Sequence, residues 1–178
     1  MLASRLLAPL AVGVMCGICA GALAGLWARI AMRLVAIGVA DGVGITPEFT
    51  IAGTLAIVIV GIVVGAPAGL VYGLVADRLP GPGRWRGLLY AAVLLVLVGP
   101  FFFRIEEFFS TGRVLLFVPP FLLYGLVLGL ALVPMRRTVT RMPLGAQAAL
   151  AVTGLGALGL LAFGVAGAIF GVPTGFVM

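Results

Sequence analysis

Gly13-Val-Met-Cys-Gly-Ile-Cys-Ala-Gly-Ala-Leu-Ala-Gly25 carries a glycine at every fourth residue, and Gly61-Ile-Val-Val-Gly-Ala-Pro-Ala-Gly-Leu-Val-Tyr-Gly73 repeats the pattern. Residues four apart stack on one face of a helix. Gly13, Gly17, Gly21 and Gly25 therefore form one bare stripe, and Gly61, Gly65, Gly69 and Gly73 form another. A stripe without side chains lets a second backbone approach closely, and in lipid that packing replaces the missing hydrophobic drive. The two stretches decide the fold class: an all-α integral membrane protein, a compact bundle with glycine-zipper packing.

Composition agrees. The chain is 63% hydrophobic and 9% charged, against about 25% charged for a soluble domain. Apolar runs of about 20 residues suffice to span a bilayer. Five are present, at about 6–26, 51–75, 87–103, 114–133 and 146–170. The third is the shortest. The first continues in helical pattern past Arg29 and Arg33 to about Ile37. Residues 1–178 are read as a single polytopic membrane domain. Arg5, an apolar stretch and the small residues Ala20 to Ala24 also fit the outline of a cleaved secretory signal. Four glycines in register followed by an arginine pair favour a retained span.

The residue inventory closes off whole chemistries. The chain has no His, Lys or Asn, and Gln147 is its one side-chain amide. No Ser-His triad, histidine metal site or lysine Schiff base can be built from it. No catalytic residue, cofactor or metal site is assigned. Cys16 and Cys19 form a C-x-x-C, but in an apolar helix they read as small packing residues rather than a redox pair. The Arg-, Ala- and Gly-rich composition without Lys or Asn suggests a GC-rich bacterial genome. A net charge of +6 does not indicate nucleic acid, because no water-facing domain carries a continuous basic stripe.

The arginines set the orientation. With five spans, Arg5, Arg78, Arg84, Arg86, Arg136, Arg137 and Arg141 fall on one side and Arg29, Arg33, Arg104 and Arg113 on the other. The richer side is cytoplasmic by the positive-inside rule. This places the N-terminus inside and the C-terminus outside a bacterial plasma membrane. Asp77 to Arg86 and Pro134 to Pro143 are the two basic turns of the cytoplasmic side. Gly13–Ala28 and Gly61–Ala76 also align without a gap. They suggest either an inverted pair of the kind transporters use or two helices shaped independently for close contact.

The candidate site lies on the outer side. Arg29 and Arg33 project from one helical face, Glu48 precedes the second span, Arg104, Glu106 and Glu107 follow the third, and Arg113 opens the fourth. This set is read either as a rim of ion pairs anchoring helix ends or as a ligand and ion entrance. Pro119 and Pro120 are expected to kink or break the fourth span on that side, and Pro67 to bend the second. Gly99-Pro100 is expected to end the third. Phe101 to Phe109 suits a segment in the interface, or else a lid over a vestibule. The glycine-rich fifth span is expected mid-bundle or against a second subunit. Tyr72 and Tyr124 need hydroxyl partners in an apolar setting.

Three functions follow from these readings. The first is a channel- or transporter-like protein working as an oligomer. The second is an accessory or assembly subunit of a larger membrane complex. The third is a membrane enzyme in which Glu48, Glu106 or Glu107 act as acid or base and the arginine pair holds a lipid-linked phosphate. The expected partners are the lipid bilayer and either further copies of the chain or another membrane protein.

Overall fold

The computed structural model describes residues 2–40, 50–102 and 111–170. It is an all-α bundle: α1 (Leu2–Ala40), α2 (Ile51–Val75), a 3-10 turn (Ala76–Arg78), α3 (Gly83–Phe102), α4 (Thr111–Val139) and α5 (Leu144–Phe170). Among the described residues three segments are long and apolar enough to cross a membrane: Leu7–Leu34, Ile51–Arg78 and Val118–Val139. Within α5, Leu144–Leu160 is a shorter apolar stretch. The protein is a small multi-pass membrane protein.

Local chemistry sets the helix ends. Thr50 is the N-cap of α2, in extended conformation, and its hydroxyl accepts the Gly53 N–H at 3.2 Å. That satisfies one of the donors a helix start leaves orphaned. Between α2 and α3, Pro80-Gly-Pro-Gly83 reverses the chain. Gly81 holds φ +94, the one positive φ among the described residues, and a side chain there would be strained. The Pro82 carbonyl then receives the Trp85 and Arg86 N–H groups and starts α3. At the α4–α5 turn, the buried Gln147 amide donates to the Val139 and Met142 carbonyls, both at 3.0 Å.

Several boundaries lie beyond the sequence expectation. Helix α1 runs to Ala40, and α3 starts at Gly83, so Arg84, Trp85 and Arg86 belong to its first turn. It also continues through Gly99-Pro100 to Phe102. Helix α4 passes without a break through Pro119, Pro120 and Pro134, which shortens the second basic turn to 140–143. Proline's fixed φ is itself helical, so each costs a donor and a local clash rather than the helix.

Helix α1 is central, with α2, α4 and α5 packed on it; α3 packs on α4. Along the antiparallel α1–α2 contact, Gly13 faces Gly69, Gly17 faces Gly65 and Gly21 faces Gly61; a Cβ on any of the six would collide with the facing carbonyl oxygen. A Cβ on Gly17 would also stand 2.9 Å from the Gly69 Cα, and one on Gly65 2.8 Å from the Gly21 Cα. Pro9 against Gly73 and Gly25 against Ile57 close the two ends of the row. The pattern is self-complementary about Gly17–Gly65, as in a two-fold isologous contact. A second seam joins α3 to α4, where Gly87 faces Gly125 and Gly83 faces Gly129.

The dense core lies toward the Asp77 end and contains Ala11, Val12, Cys16, Tyr72, Tyr90, Tyr124, Leu128 and Leu132. Toward the other end, large apolar side chains face outward: Leu26, Ile30 and Leu34 on α1, Ile51, Leu55 and Ile59 on α2, and Val93, Val96 and Leu97 on α3. Helix α5 lies at the bundle's edge over α1 and α2 rather than in its middle, with Val152, Leu155 and Leu160 exposed.

Candidate functional site at the Arg29 end

Arg29 continues the face of α1 that carries the glycines. Across the seam stands Gly53, in the first turn of α2. A Cβ on Gly53 would lie 3.3 Å from Arg29 Nη2 and 3.6 Å from Cζ. Glycine thus leaves the space into which the guanidinium packs, beside the cap at Thr50. Arg33 follows one turn later, exposed at the surface.

Of the remaining predicted cluster, Glu48, Arg104, Glu106 and Glu107 lie outside the described residues, as does the Phe103–Phe109 part of the aromatic segment. Arg113 is placed only as backbone in the first turn of α4. The structure therefore sets Arg29 beside the start of α2, with Arg33 one turn further along α1. Among the described residues no group of three or more His, Cys, Asp or Glu converges on a point. Cys16 is buried, Cys19 half-buried, and both are free thiols.

The polar geometry inside the bundle is tyrosine chemistry. The Tyr124 hydroxyl on α4 donates to the Gly65 carbonyl at 2.7 Å, and the Tyr90 hydroxyl on α3 donates to the Ala68 carbonyl at 2.6 Å. Both acceptors flank Pro67 on α2. The Tyr72 and Tyr90 rings lie 5.2 Å apart at 47°. The Tyr72 hydroxyl is fully buried with no hydrogen-bond partner among the described residues. Tyr124 thus uses a carbonyl of the glycine face, while Tyr72 uses neither that nor another tyrosine.

Sequence reasoning missed three features that position these groups. Tyr90 was not singled out, although a phenol in an apolar helix demands an acceptor. Gly83, Gly87, Gly125 and Gly129 repeat the four-residue spacing in shorter form. Gln147, the lone amide, caps a turn. At the opposite end Asp77 is chelated by Arg136 Nη2 at 2.8 and 2.7 Å, with Arg86 Nη1 at 3.9 Å, so the two basic turns meet.

No family model matches the chain, and no curated protein or solved structure matches it.

Proposed function

We propose that the protein is an assembly subunit: a single membrane domain of five transmembrane helices, joined by glycine zippers, that works by docking further transmembrane helices. Helix α5 carries this reading. Gly154 is occupied, packed against the Val14 and Leu70 side chains, but Gly156 and Gly159 have nothing within 4 Å of a would-be Cβ. A glycine facing lipid adds no apolar surface and loosens the helix. Facing another backbone, it permits the close approach that drives helix association in membranes. In this reading the Asp77–Arg136 end is cytoplasmic in a bacterial plasma membrane. Arg29, Arg33, Glu48, Arg104, Glu106, Glu107 and Arg113 form the outer rim. Bends at Pro67, Pro119 and Pro120 give α2 and α4 points of flexure.

A channel- or transporter-like oligomer is the second reading. Its support is the placement of the Arg29 guanidinium beside Gly53 at the head of α2, at one end of the α1–α2 seam. The described interior is lined by apolar side chains and backbone seams, so the path would have to form between chains. The enzyme reading rests on Glu48, Glu106 and Glu107, which lie outside the described residues.

Native mass spectrometry of protein gently extracted from its own membrane tests the proposal. A complex is expected, and Gly156→Leu with Gly159→Leu should dissociate it while leaving the thermal unfolding of the chain unchanged. A wild-type monomer without partners would sink the assembly reading. A complex of identical copies would call for flux assays on liposomes.

A further inference from the structure

The Asp77–Arg136 pair gathers two turns distant in sequence into one rim. Asp77 is the sole carboxylate side chain in residues 50–102 and 111–170. Arg136 chelates it, while Arg86 lies 3.9 Å away and donates its Nε–H to the Gly81 carbonyl at 2.7 Å. Arg78, Arg84, Arg137 and Arg141 are all exposed on the same rim and make no ion pair among the described residues. Beside them Trp85 is 57% exposed, and below it Leu89, Val93, Val96 and Leu97 continue one outward face of α3. A shallow apolar groove lined by Ala92, Val93, Val96 and Leu97 lies on that face.

We propose that this rim binds anionic phospholipids: the headgroup phosphate on Arg78, Arg84, Arg137 and Arg141, the glycerol level beside Trp85, and an acyl chain along α3. Four guanidinium groups on one rim repel one another until anions come between them, and guanidinium matches phosphate with two parallel hydrogen bonds. Juxtamembrane basic clusters are drawn to anionic leaflets, and tryptophan favours the headgroup layer. The continuous apolar face under the arginines fits a lipid rather than a free phosphate ion. This inference does not depend on whether the chain assembles with others.

The test uses the full chain in nanodiscs of phosphatidylcholine with a minor fraction of phosphatidylglycerol, measuring the lipids retained on gentle extraction. Several-fold enrichment of phosphatidylglycerol over the bulk ratio is expected. It should fall to the bulk ratio when the four arginines are changed to Gln, and fall only part of the way when they are changed to Lys, which keeps the charge but not the paired hydrogen bonds. Wild-type retention at the bulk ratio would overturn the proposal, as would full enrichment in a folded Gln variant. If the Gln variant does not fold, wild-type protein is challenged with inorganic phosphate and with short-chain phosphatidylglycerol. Displacement by the lipid alone supports the proposal. Displacement by phosphate at similar concentration, or by neither, overturns it.

Discussion

At the scale of single residues, the tyrosines offer the sharpest contrast. Tyr124 and Tyr72 are both buried phenols, but one donates to the Gly65 carbonyl and the other has no partner among the described residues. A satisfied hydrogen bond contributes about 1 kcal/mol net, whereas a buried unsatisfied group costs about 1–3 kcal/mol. Tyr124→Phe should therefore destabilise by about 1 kcal/mol, and Tyr72→Phe should be neutral or stabilising. Reversible unfolding in mixed micelles measures both. A larger loss for Tyr72→Phe than for Tyr124→Phe would show that its hydroxyl is bonded after all. Gln147→Leu removes the side-chain donor from the Val139 and Met142 carbonyls; Val139 keeps the Met142 N–H, so the loss falls on the Met142 carbonyl and should cost about 1–3 kcal/mol in the same assay.

At the scale of elements, the two seams and the open face of α5 predict opposite responses to one chemical change. Gly17→Leu drives a side chain into the backbone of α2, and Gly87→Leu does the same to α4. Overpacking costs about 1–3 kcal/mol where neighbours can yield; here they are backbone and cannot rotate away. Both variants should lose folded protein on size-exclusion chromatography in detergent, while Gly145→Leu, with nothing within 4 Å, should not. The glycine rows of α1 and α2 stand out in the sequence because four identical residues repeat in register. The α3–α4 seam was not, because two glycines per helix hardly stand out in a chain holding 27. Of the two outcomes expected at Pro119-Pro120, a kink or a break, the break does not occur, and the expected ends at Gly99-Pro100 and Pro134 give way to continuous α3 and α4. Which acceptor a buried tyrosine finds depends on helices distant in sequence, and no local pattern carries that.

For the whole molecule, the Asp77–Arg136 contact brings the two basic turns to one end. Single cysteines at Gly81 and at Thr140, in a chain with Cys16 and Cys19 replaced by Ala, should then react with an impermeant maleimide from the same side of the membrane. In the proposed orientation that side is the cytoplasm. Labelling from opposite sides would contradict the fold itself. The cluster around Arg29 stands in the sequence only as a list of charges, and the structure adds the place of Arg29 over Gly53. The row of facing glycines has one more consequence. It is a rack whose notches match again at every fourth residue, so sliding α1 past α2 by four residues, about 6 Å, would set glycine against glycine once more. The teeth alone do not choose their alignment. What chooses it is everything in the row that fails to repeat: Pro9 at one end, Ile57 and the Arg29–Gly53 fit at the other, and the latch that Tyr124 throws across to Gly65.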